Sequence, residues 1–150
     1  MTKVIYTKLF SMLLDKVRGF IDKLLFGFRS WFRDMYYYPL TLEELKTAID
    51  FWVNDILPML EYSSEVFDCD DFGSLFKGLI NFITGKNAVG EAIGEVVLPT
   101  GEVGLHEWNT VLVELPSGDQ VVLYVEPQTG EVFKEISQEG WLYKLKNVLY

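Results

Sequence analysis

Hydrophobic positions in the first quarter of the chain recur at three- and four-residue steps. Residues 4–36 keep this spacing, with charged residues between most of the apolar ones. Such a period predicts an amphipathic helix, although Gly19 and Gly27 weaken it locally. The apolar stripe consists of Leu9, Met12, Leu13, Val17, Phe20, Ile21, Leu24, Leu25, Phe28 and Phe32. We predict one long helix or two shorter ones, which either pack on their own domain or contact a membrane or a partner.

Two further helices are predicted by their boundaries. Thr41 followed by Glu44 forms a capping box, which opens a second helix running to the region before Pro58. A third helical stripe covers residues 70–84, and Gly85 is its expected C-cap.

The hydrophobic period changes to two after the third helix. Turn sequences "PTGE", "PSGD" and "PQTGE" separate the alternating runs. We predict antiparallel strands near residues 92–98, 104–115, 120–126 and 131–136, and a short helix or a final strand for "GWLYKLKNVLY". N-terminal helices followed by an antiparallel sheet indicate the α+β class. Residues 1–60 are expected to form a basic, amphipathic helical segment and residues 61–150 the core, together one compact unit.

Charge and cysteine content narrow the function classes. The net charge is −9, yet residues 1–38 carry seven Lys/Arg against three Asp/Glu. The acidic remainder, residues 39–150, is expected to bind nucleic acid poorly, because its carboxylates repel phosphate. The single cysteine excludes an intramolecular disulfide framework and fits a reducing compartment. We expect neither a signal peptide nor a transmembrane helix, and a cytoplasmic protein.

The one cysteine lies where the third helix begins. Cys69 is therefore either a small core residue or a nucleophile whose thiolate the helix N-terminus stabilises. The flanking carboxylates of Asp68, Asp70 and Asp71 work against a thiolate by raising the thiol pKa. These acids either cap the helix or offer oxygen ligands to a divalent cation such as calcium; otherwise no cofactor is expected.

The one histidine opens a predicted strand, and an acid ends the next one. His106 could serve a nucleophilic Cys69 as general base, and Glu126 could orient the imidazole. The alternative is a half-buried structural histidine and a solvated strand-end acid.

Three segments carry a resemblance to a known family. "DCDDFGSLF", "LHEWNTVLVEL" and "VLYVEPQTGE" resemble the transglutaminase-like branch of the papain-like cysteine-peptidase superfamily. The likeness is nearest to the papain-like C-terminal domain of Marasmius oreades agglutinin and related microbial and phage domains, and it covers residues 65–131. It implies a papain-like or transglutaminase-like core.

The resemblance also implies roles for individual residues. Cys69 would be the nucleophile, His106 the general base and Glu126 the orienting acid. The site-shaping residues would be Asn109, Gln128 and Trp108. The family pattern has a glutamine upstream of the cysteine, but none precedes Cys69 here, so Tyr62 or Asn54 would have to supply the second oxyanion donor.

Two functions of different classes follow. The first is a cysteine-dependent hydrolase or acyltransferase, of peptidase or transglutaminase type, that acts on a peptide or protein through a thioester. The second is a catalytically inactive papain-like scaffold that serves as a protein-interaction module, for which a viral or plasmid origin would be suitable. The sequence does not decide between an enzyme and a scaffold, and it leaves the oligomeric state open.

Overall fold

The computed structural model describes residues 2–17, 19, 23, 26, 30, 32–64 and 66–150. A two-residue strand opens the chain and the longest helix lies near its middle. In chain order the elements are β1 (Val4–Ile5), α1 (Tyr6–Leu14), β2 (Tyr36–Tyr37), β3 (Leu40–Thr41), α2 (Leu42–Phe51), a π-helical turn (Trp52–Ile56), a 3-10 turn (Leu57–Met59), α3 (Cys69–Thr84), β4 (Val89–Val97), β5 (Val103–Glu114), β6 (Gln120–Glu126), β7 (Glu131–Phe133) and β8 (Leu142–Leu149).

The described strands form one large sheet and one small ribbon. The large sheet has the order β7-β6-β5-β4-β8, and these neighbours are all antiparallel. Strand β3 adds a short parallel pairing to the end of β5, and β1 pairs with β2 in the separate ribbon. Strand β5 therefore lies at the centre, with its two faces available to helices on either side.

Each face of the sheet packs on its own hydrophobic cluster, because side chains alternate along a strand. One face lies against α1 and contributes Trp108 and Leu112 to its cluster. The other face contributes Val111 and Val113, and packs on α2 and α3 through residues such as Leu45 and Phe76.

The predicted helix boundaries after residue 40 are confirmed. The Thr41 hydroxyl accepts from the Glu44 backbone N–H, and the Glu44 carboxylate accepts from the Thr41 N–H. Helix α3 begins at Cys69 and ends at Thr84, and the following residue, Gly85, has the left-handed φ of +64° that a glycine C-cap supplies. The strand predictions agree to within a few residues, and the final segment is a strand.

The predicted fold class is wrong. Antiparallel sheet dominates the described chain, the chain opens with a strand, and the first helix covers only Tyr6–Leu14. Leu9, Leu13 and Val17 are buried as the stripe predicts. However, Gly19 has φ +84°, which a continuous helix does not accommodate. The predicted stripe positions Phe20, Ile21, Leu24, Leu25 and Phe28 lie outside the described residues.

Within the described part of the chain, no helix has both the length and the apolar character needed to cross a membrane. The longest one, α3, carries three charged residues along its sixteen positions.

Candidate functional site

A cleft of about 540 Å³ opens where the β6–β7 turn faces the segment that leads into β8. Its walls come from the end of β6, from the turn and from the start of β8. One more residue comes from β5. The lining residues are His106, Glu126, Gln128, Thr129, Gly130, Glu131, Ser137, Gln138, Glu139, Trp141 and Tyr143.

Three hydrogen bonds hold the Glu126 carboxylate, which is buried at the base of this cleft. The His106 Nε2 lies 2.6 Å from Glu126 Oε2, and the Tyr143 hydroxyl donates to the same oxygen over 3.0 Å. The Gln128 backbone N–H donates to Oε1 over 3.2 Å. The His106 ring donates to Glu126 in the forms of the imidazole that carry a proton on Nε2.

Trp141 and Tyr143 are the Trp and Tyr residues that line the cleft, and Trp108 packs behind Tyr143 without lining it. The indole of Trp108 is fully buried and its ring lies 5.1 Å from that of Tyr143, edge to face. The His106 ring stacks on Trp108 at 6.3 Å. Trp141 is only partly buried, and its backbone is fixed because its N–H donates to the Ser137 hydroxyl and its carbonyl accepts from the Ser137 N–H.

The residues that alternate with His106 and Trp108 along β5 face the opposite side of the sheet. Glu107 and Asn109 point toward α3, since they alternate with His106 and Trp108. The Asn109 side-chain amide donates to the Gly73 and Gly90 carbonyls, at 3.0 and 3.2 Å. Asn109 therefore links α3 to the sheet, which is where the structure places this predicted site-shaping residue.

Cys69 lies beside the same stretch of β5. Burial raises the pKa of its thiol, and Asp68, Asp70 and Glu107 raise it further, while a hydrogen bond from the Glu107 backbone opposes the shift. The predicted effect of the flanking acids is thus confirmed for Asp68 and Asp70. Among the described residues no hydrogen bond joins the Cys69 thiol to His106. The nucleophilic role of Cys69 stays a prediction.

The acids around Cys69 cap the helix. Asp68 is the N-cap of α3, and its backbone N–H donates to the Asp71 carboxylate over 3.3 Å. One ligand atom from each of Asp68, Cys69 and Asp70 lies within 4.8 Å of the others. A hydrogen bond with Asp68 is the main cause of the raised pKa of Asp70. A divalent cation here stays a prediction.

The structure brings together two of the three predicted catalytic residues, His106 and Glu126, with Gln128 beside them. Of the suggested oxyanion donors, Asn54 donates its amide to the Asp50 carbonyl and Tyr62 is 57 % exposed. Neither makes a hydrogen bond to Cys69 in the described part of the chain. Sequence reasoning missed the cleft residues Trp141 and Tyr143, although the alternation in "GWLYKL" could have placed both on one strand face.

Solved structures that share this fold include the following two. One is described as a PSL1a–E64 complex, with a TM-score of 0.69 and 24% identity, covering 99% of this chain and 51% of that chain. The other is Polyporus squamosus lectin bound to the human-type influenza-binding epitope Neu5Acα2-6Galβ1-4GlcNAc, with a TM-score of 0.66 and 24% identity, covering 99% and 49%. The chain thus spans about half the length of each. No protein-family model and no curated protein matches it.

These comparisons correct the predicted family and its consequences. One of the structures that share the fold is described as a lectin, so the prediction of a papain-like or transglutaminase-like peptidase family is wrong. The same finding overturns the hydrolase or acyltransferase activity, the inactive papain-like scaffold of viral or plasmid origin, and the peptide or protein substrate. The same finding also overturns the membrane or protein contact suggested for the N-terminal helices. At 24% identity the likeness itself concerns the fold.

Proposed function

We propose that the chain binds carbohydrate in the cleft between the β6–β7 turn and the start of β8. The observation that carries the proposal is a partly exposed indole, Trp141, set beside a row of polar side chains in one concavity. Sugars present apolar C–H faces and a rim of hydroxyls, so an aromatic surface next to donors and acceptors complements both.

The polar groups of the cleft include several that the fold leaves available. The side-chain amides of Gln128 and Gln138 make no hydrogen bond to the described residues, and each offers two donors and one acceptor. The Thr129 hydroxyl accepts from the Glu131 backbone N–H over 3.2 Å, which leaves its proton to donate. Such groups could bind several sugar hydroxyls at once.

The fold likeness supports this proposal in a limited way. Polyporus squamosus lectin binds a sialylated trisaccharide, but the match covers about half of that chain. The ligand of the neighbour therefore does not assign the glycan taken here.

A cytoplasmic location, which the single cysteine favours, is part of the proposal, as is the division into residues 1–60 and 61–150.

The test is a binding screen of the purified chain on immobilised neutral, amino-bearing and sialylated oligosaccharides, followed by calorimetry on the best ligand. Trp141→Ala should weaken binding at least about tenfold, since stacking contacts of an aromatic ring contribute on the order of 1 kcal/mol or more. Gln128→Ala and Gln138→Ala should each weaken it by a few fold, because each loses hydrogen bonds to the sugar.

A matched control distinguishes binding in the cleft from nonspecific binding to the protein surface. Phe82 is 84% exposed on α3 and does not line the cleft, so Phe82→Ala should leave binding unchanged. Trp141 also packs against the core, and the two glutamine variants keep the test valid if Trp141→Ala fails to fold. Binding to no oligosaccharide, or equal binding by wild type and all three cleft variants, would overturn the proposal.

A further inference from the structure

The cleft is strongly acidic. Its described lining includes three carboxylates, Glu126, Glu131 and Glu139, but neither lysine nor arginine. The one lining side chain that can carry positive charge is His106, and its Nε2 is already directed at Glu126. Any ligand therefore meets a negative field with little compensation from the protein.

The sheet register itself places two of these acids together. Glu126 and Glu131 are direct cross-strand partners at the end of the β6–β7 ladder. Like charges directly opposite each other destabilise a sheet, so the pair costs stability unless donors or a cation offset it. Glu126 has three donors, whereas Glu131 accepts one hydrogen bond, from the Gln138 backbone N–H over 2.6 Å.

The third acid has even less compensation. Glu139 is exposed and makes no hydrogen bond or ion pair with the described residues. Its charge nevertheless reaches the base of the cleft. The pKa of the Tyr143 hydroxyl is raised far above its usual range, first by burial and then by Glu126, Glu131 and Glu139. The carboxylates thus act on one shared volume.

We infer that the cleft selects sugars that carry a free amino group, and that Glu131 and Glu139 receive the ammonium. This inference rests on the proposed function, since it assigns the ligand class of the same cleft. Hydrogen bonds between an ammonium and a carboxylate are shorter and stronger than neutral ones. An N-acetylated sugar brings no positive charge, and a sialic acid brings a carboxylate that these acids repel.

The test uses two oligosaccharides of equal length that differ at one group. A glucosamine tetramer and an N-acetylglucosamine tetramer are titrated into the full chain at mildly acidic pH, at low and at physiological salt. We expect the amine to bind roughly tenfold or more tightly, as one compensated charge pair warrants. Glu131→Gln combined with Glu139→Gln should reduce that preference to about twofold.

The chain has a net charge of −9, so a cationic sugar could also bind it without a site. The control is therefore Glu61→Gln combined with Glu102→Gln, which removes two exposed carboxylates outside the cleft and should keep the full preference. Equal amine binding by both double variants would overturn the inference.

Other outcomes separate the inference from the proposed function. Trp141-dependent binding of the N-acetylated tetramer, or of a sialylated glycan, at least as tight as that of the amine would remove the amino-sugar preference while leaving carbohydrate binding in place. Binding of none of the oligosaccharides would remove both.

Discussion

His106 and Glu107 are neighbours on β5, yet they lie in opposite environments. On the cleft face, the buried Glu126 beside His106 receives hydrogen bonds from an imidazole, a phenol and a backbone amide. On the α3 face, Glu107 is 8% exposed and its carboxyl receives no hydrogen bond from the described residues. Burial raises the pKa of Glu107, and the charges of Glu91 and Asp70 raise it further, to about 8.

The comparison separates two kinds of buried acid. A carboxyl group with three donors can organise a polar site, whereas one without donors has its pKa raised by desolvation and neighbouring acids. The cleft face is therefore built for polar chemistry. On the α3 face the clustered acids lower the stability of the fold, and Lys77 offsets part of that loss through its 3.6 Å ion pair with Glu91.

The largest effect we expect comes from the backbone that supports the cleft face. A Cβ at Gly94 would lie 2.1 Å from the Lys144 carbonyl oxygen and 2.8 Å from the Trp108 ring, at an irregularity of the β4–β8 ladder. Gly94→Ala must therefore move β8 or Trp108, and should lower the free energy of unfolding by roughly 3 kcal/mol. Chemical denaturation at neutral pH measures this loss.

Gly73→Ala is the matched substitution on the other face. The three atoms nearest to its Cβ would all belong to the Glu107 side chain, with Oε1 at 3.0 Å, and alanine favours a helix by about 1 kcal/mol over glycine. We expect a change within about 1 kcal/mol of zero. If the two variants lose equal stability, the two faces do not differ in rigidity as the comparison claims.

The next effect tests the donors around Glu126. Glu126→Gln replaces one accepting oxygen with an NH₂ group, so either the His106 and Tyr143 donors or the Gln128 N–H face another donor. The free energy of unfolding should fall by roughly 2 kcal/mol, the scale of a charge-assisted hydrogen bond in a buried site. Tyr143→Phe removes one donor only, and should cost less. A Glu126→Gln variant as stable as wild type would show that the network adds nothing.

Local sequence signals predicted much of this architecture. The Thr41–Glu44 box, the Gly85 cap and the alternating runs after residue 88 are short-range patterns, so they were readable without any tertiary contact. The length of the first helix was not predictable in this way, because the stripe around Leu9 and Leu13 fits a long helix and a short one equally well. Gly19 then adopts a conformation that a periodicity cannot show.

The candidate site was predictable only in part for the same reason. His106 lies near the start of β5 and Glu126 ends β6, so the antiparallel β5–β6 pairing brings both to the same end of the hairpin. Trp141 and Tyr143 reach the cleft because β8 pairs with β4, beyond β5 and across some fifty residues of chain. No local pattern encodes that pairing. The raised pKa of Glu107 likewise depends on α3 covering it.

The last effect, and the one that depends on pH, concerns Glu107. Near pH 4 both the folded and the unfolded chain hold its proton, so Glu107→Gln should leave stability nearly unchanged. Between the ordinary pKa of 4.5 and about 8, the unfolded chain releases the proton and the folded chain keeps it. Wild-type stability therefore falls across this window, and the glutamine variant should gain roughly 1–2 kcal/mol on it by pH 8. Thermal and urea unfolding from pH 4 to 9 measure the gap, with Glu102→Gln, an exposed carboxylate, as control. A gap that does not widen with pH would mean that the folded chain does not hold the Glu107 proton, and the contrast between the two faces of β5 would then rest on hydrogen bonding alone.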